Sequence, residues 1–70
     1  MIDIIWDVIT NNKERFVLID NELEIQGSYR GYKYEIDGGK EYLILGLGKD
    51  LKPNYIYMYK NGVGKNEQNN

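Results

Sequence analysis

The sequence predicts an α+β fold, with a short N-terminal helix packed on a four- to five-stranded antiparallel sheet or small barrel. Three observations carry this. From residue 15 onward the chain runs in alternating, strand-forming segments. Gly38 and Gly39 stand between two of them, where a tight hairpin turn needs positive φ. Ile2, Ile5, Trp6 and Ile9 recur at helical spacing, with Asp3 and Asp7 on the opposite side.

Residues 2–12 also alternate as a strand would, through Ile2, Ile4, Trp6 and Val8. That strand would put Asp3 and Asp7 on the same face as Ile5 and Ile9, so the helix is the better reading. Asp3 suits its positive end, and Asn11 or Asn12 could end it in the left-handed region. Residues 15–20 are β-branched and apolar, and Asp20-Asn21 is a turn signal. Residues 22–26 read as a strand, with Leu23 and Ile25 on one face and Glu22, Glu24 and Gln26 on the other. Residues 29–37 are the next strand.

A two-residue loop at Gly38 and Gly39 sets the register of the following hairpin. Asp37 faces Lys40, Ile36 faces Glu41, Tyr34 faces Leu43, Tyr32 faces Leu45 and Arg30 faces Leu47. The other face carries Glu35 with Tyr42, Lys33 with Ile44, and Gly31 with Gly46. Gly46 and Gly48 mark a bend or bulge in the second strand. A loop over residues 49–54 leads to the last strand, residues 55–60. The expected core is Ile2, Ile5, Trp6, Ile9, Leu18, Leu23, Ile25, Leu43, Leu45, Ile56 and Met58. Residues 1–63 form the expected single domain, and residues 64–70 a polar disordered tail.

Composition narrows the chemistry. The 70 residues include neither cysteine nor histidine. Disulfides are therefore impossible, and a zinc site would need carboxylates alone, so no metal or other cofactor is expected. There is no thiolate and no side chain that ordinarily titrates near neutral pH. The hydroxyls of Thr10 and Ser28 have no base near them in sequence. Glu35 and Glu41 could be offered as an acid–base pair, but both read as solvent-facing strand residues of a domain too thin to shift their pKa values. Gly46-Leu47-Gly48-Lys49 lacks the spacing of a phosphate loop. These features predict a protein that is not an enzyme. No run approaches the roughly 20 apolar residues of a membrane span, and the N-terminus lacks a signal-peptide layout, so the expected compartment is the cytoplasm.

The seven tyrosines carry the functional signal. Tyr32 and Tyr34 fall on the core face with Leu43 and Leu45. Tyr55, Tyr57 and Tyr59 fall together on the outer face at intervals of ~6.8 Å. With Tyr42, Lys33 and Lys60 they make an aromatic platform carrying positive charge, and these six are the candidate binding residues. Such a platform serves protein docking, where tyrosine supplies apolar area at low entropic cost. It also serves single-stranded nucleic acid, whose bases stack on aromatics. Residues 1–26 hold six acids against Lys13 and Arg15, and the net charge of −2 favours protein over nucleic acid as the partner.

The stretch Gly27-Ser28-Tyr29-Arg30-Gly31-Tyr32-Lys33 resembles the start of small SH3-like barrel domains of unknown function, and no residue role is carried over from it. Abundant Asn, Ile, Lys and Tyr are typical of products of AT-rich genes, among them phage and mobile-element proteins that bind and block a host protein. The expected function is thus a small protein-binding module, an inhibitor of a host enzyme or defence complex. The exposed tyrosine stripe lies on a strand with few blocking charges, so either a homodimer or a hetero-partner is expected to cover it.

Overall fold

The computed structural model describes residues 4–61. Helix α1 spans Ile4–Asn11 and is followed by strands β1 (Phe16–Asp20), β2 (Arg30–Ile36), β3 (Glu41–Leu47) and β4 (Pro53–Lys60). The strands form one antiparallel sheet in the order β1-β2-β3-β4. This is the α+β meander, and the sheet is open: β1 and β4 are its two edges and do not meet, so the barrel alternative fails. The strand expected at residues 22–26 is not formed, which leaves four strands rather than five among the described residues.

The helix forms where the spacing of Ile5, Trp6 and Ile9 demands it. Ile9 is buried, and Ile5 and Trp6 pack against the cluster of Tyr34, Ile36, Leu43, Leu45 and Leu47. The helix does not end through a left-handed asparagine. Instead the Asn12 side chain donates to the Val8 carbonyl at 2.8 Å, satisfying an orphan acceptor of the last turn. Ile2, Asp3 and the tail at residues 64–70 lie outside the described residues.

The β2–β3 hairpin has the register read from the sequence, from Arg30 opposite Leu47 to Ile36 opposite Glu41. Its loop is four residues long rather than two. Asp37, Gly38 and Gly39 are all left-handed, with φ of 51°, 71° and 96°. The Ile36 carbonyl accepts from the N–H groups of Gly39 and Lys40, both at 3.1 Å. Two-residue and four-residue loops centred on the same pair share a register, which is why the register survives the difference. Asp37 pairs with Arg15 instead of Lys40, in a bidentate contact of 2.7 and 2.9 Å.

The core face of the sheet carries Tyr32, Tyr34, Ile36, Leu43, Leu45 and Ile56, as cross-strand pairing requires. Leu18 and Met58 share that face, opposite Tyr34 and Leu43, yet remain 45% and 52% exposed. They were expected in the core. The helix packs on a cluster drawn from β2 and β3, and these edge-strand side chains stay open. Leu23 and Ile25 are half-buried, in the connection between β1 and β2 rather than in a strand.

That connection crosses the outer face. The Leu23 N–H donates to the Gly31 carbonyl at 3.2 Å. A Cβ on Gly31 would collide with the Leu23 carbonyl and the Ile25 side chain, and one on Gly46 would collide with Ser28. Gly31 and Gly46 sit directly opposite each other. Together they form a bare patch on which the connection rests. The register of β3 with β4 shifts between Gly46 and Leu47, but the extra residue is Asn54 of β4 and not a residue of the glycine-bearing strand.

Candidate functional site: an aromatic platform on the outer face

Strand alternation sends Lys33 and Glu35 of β2, Tyr42 and Ile44 of β3, and Tyr55, Tyr57 and Tyr59 of β4 to the face away from the helix. The rings of Tyr42 and Tyr59 stack with centroids 5.3 Å apart and planes at 29°. Tyr57 and Tyr59 stack at 5.7 Å and 27°, closer than the ~6.8 Å that separates alternate residues of a strand. The rings therefore lean together into one continuous stack across two strands.

Lys33 closes that stack. Its Nζ lies 4.8 Å from the Tyr42 centroid and 5.8 Å from that of Tyr59, in cation–π range of both rings. A hydrogen bond to the Tyr59 hydroxyl is the main reason its ammonium is held above the ordinary lysine range, with the nearby Asp20 charge adding to it. Asp20 is the register partner of Lys33 across β1 and β2. The lysine ammonium thus lies over two aromatic faces.

Of the six residues read from the sequence, Tyr42, Tyr57, Tyr59 and Lys33 come together. Tyr55 is on the same face two residues further along, opposite Gly46, where Ser28 and Asn54 close over the sheet. Lys60 is not part of the platform: it lies opposite Glu41, and alternation turns it to the helix side. Sequence reasoning missed two members of the surface. Ile44 lies between Lys33 and Tyr57 in the cross-strand row, and the hairpin register already implied its place. Val17, 49% exposed, joins through its pairing with Glu35, and no local signal marks that pairing.

Tyr57 is 53% exposed and Tyr55 42%, so the platform presents apolar area to its surroundings. Tyr32 and Tyr34 face the core as expected, and Tyr34 is 8% exposed. Burial there raises the Tyr34 phenol above its ordinary range. The carboxylates of Glu35 and Glu41 project to opposite faces of the sheet. Among the described residues no helix is long and apolar enough to cross a membrane. Compared with known proteins, the chain matches no family model, no curated protein and no solved structure.

Proposed function

We propose that this chain is a small protein-binding module whose docking surface is the Tyr42, Tyr57, Tyr59 and Lys33 platform. The observation that carries the reading is the ring stack, with Tyr57 exposed and Tyr42 and Tyr59 half-buried, ordered by ring–ring contact and capped by the Lys33 ammonium. Ordering side chains costs about 0.5–1.5 kcal/mol each on association, and a preformed stack has already met part of that cost. Tyrosine is also among the residue types that dominate interface energetics. The composition typical of AT-rich mobile elements supports a host protein as partner, with blockade of that protein as the outcome.

A second reading, single-stranded nucleic-acid binding, is favoured by one feature, the lysine set beside stacked rings. Against it stand the net charge of −2 and the departure of Lys60 from the platform. The test uses immobilised wild type, Lys33→Glu and Tyr29→Ser as baits in extract of the native host. Docking through the platform predicts a stoichiometric partner that wild type and Tyr29→Ser retain and Lys33→Glu loses at least tenfold. A partner retained equally by all three baits would place the docking surface elsewhere. Anisotropy titration with mixed oligonucleotides at low and high salt checks the second reading. Micromolar binding that collapses as salt rises would replace the protein-docking proposal.

A further inference from the structure

We infer that β4 pairs antiparallel with β4 of a second copy, about a two-fold axis at Tyr57, to make one continuous eight-stranded sheet. The inference concerns the edge of the sheet rather than its face, so it does not rest on what the platform binds. The Asn61 N–H donates to the Lys40 carbonyl at 3.0 Å, one step beyond the pair Glu41 and Lys60. Opposed residues of an antiparallel ladder alternate between pairs that exchange both hydrogen bonds and pairs that exchange none. The backbone groups of Tyr59, Tyr57 and Tyr55 are therefore bonded to β3. Those of Ile56, Met58 and Lys60 point out from the sheet, and among the described residues no strand takes them.

The strand is self-complementary about Tyr57. The axis sets Ile56 opposite Met58 of the second copy, Tyr55 opposite its Tyr59, and Tyr57 beside its Tyr57. Tyrosine meets tyrosine on the outer face, and aliphatic meets thioether on the helix face. Lys60 falls opposite Asn54, so no like charges meet. Sliding one copy by two residues sets Lys60 against Ile56 in one direction, or Pro53 against Tyr59 in the other. A slip of one residue is excluded, because it turns bonded groups away from each other. Met58, 52% exposed at the rim of the helix face, gains a lateral apolar neighbour. The other edge is unsuited to the same pairing, since β1 is interrupted by an irregularity between Leu18 and Asp20. Residues 55–60 of β4 pair without a break.

Sedimentation equilibrium and native mass spectrometry test this on the full chain. The wild type is expected as a dimer. Tyr57→Lys and Tyr57→Asp, which set like charges side by side at the axis, are each expected as monomers. Their equimolar mixture is expected to recover a dimer holding one chain of each, which also shows that both variants fold. Because the chain has no cysteine, Tyr57→Cys adds a check independent of charge. Residues beside the axis form a non-hydrogen-bonded pair with Cα atoms ~4.5 Å apart, within disulfide reach. Mild oxidation should cross-link Tyr57→Cys completely and leave Tyr29→Cys uncoupled. A wild type that stays monomeric, assemblies that grow beyond two chains, or a Tyr57→Cys that cross-links no better than Tyr29→Cys would overturn the inference.

Discussion

Asp37 holds two roles that can be separated by one substitution. Its backbone opens the left-handed run of the hairpin loop, and its carboxylate grips Arg15 at the start of β1. The Arg15 guanidinium, by hydrogen bond first and by charge second, holds the Asp37 carboxyl below its usual range. A group whose pKa falls on folding adds stability above its unfolded value and loses it as pH drops through the folded one. Asparagine tolerates the same left-handed backbone but has no charge to titrate. Asp37→Asn is therefore expected to be slightly less stable than wild type at neutral pH. The gap should begin to narrow as pH falls below about 4, the ordinary aspartate value, and close once pH is below the lowered folded-state value, where the wild-type carboxyl is neutral as well. Urea denaturation midpoints across that range check it, and a gap independent of pH would remove the ion pair from the account. The pairing of Asp37 with Arg15 could not be read from the sequence. Lys40 was the nearer cation, and only the β1–β2 contact, 22 residues apart in the chain, brings Arg15 closer.

Elements were legible to the degree that their signals were local. The β2–β3 register was readable because two glycines marked the centre of a hairpin whose strands alternate on both sides. Residues 22–26 alternate just as cleanly, yet form no strand. Alternation reports which side chains face apolar surface, and a connection lying on the sheet satisfies it as well as a strand does. The signal that could have corrected this was the glycine pair, since Gly31 opposite Gly46 leaves no side chains under the connection. Gly31→Ala should make this visible. Overpacking there is expected to cost about 1–3 kcal/mol and to loosen the connection, so that a glutamate-specific protease cuts after Glu22 or Glu24 faster than in wild type. Unchanged stability and cleavage would mean that the connection does not rest on this patch. On the platform, Tyr42, Tyr57, Tyr59 and Lys33 were readable from strand parity. Lys60 follows the same parity and belongs to the helix side: it is near the platform along the strand but not on its face.

At the scale of the molecule, burial is concentrated in the middle strands, on which the one short helix packs. Leu43 and Leu45 of β3 are fully buried, while Leu18 and Met58, on the same face at the edges, are half open. Leu45→Ala should cost about 2–5 kcal/mol, a large share of the stability of a domain this size. Met58→Ala, measured in dilute protein, should cost about 1 kcal/mol or less, because little apolar area leaves a buried site. Chemical denaturation of the two variants side by side checks this, and equal losses would mean that the core extends to the edge strand.

The meander also sets an order of events in time. Each strand pairs with its neighbour in the chain, so no pairing waits on a distant segment, and chains built this way are among the faster-folding β proteins. The closures are unequal nonetheless. Four residues separate β2 from β3, and nine separate β1 from β2. The longer closure costs about 0.7 kcal/mol more chain entropy. It also has to bring Leu23 and Ile25 down onto the glycine pair. The hairpin of β2 and β3 is therefore the natural nucleus, and β1, with Arg15 reaching Asp37, is the last strand to join.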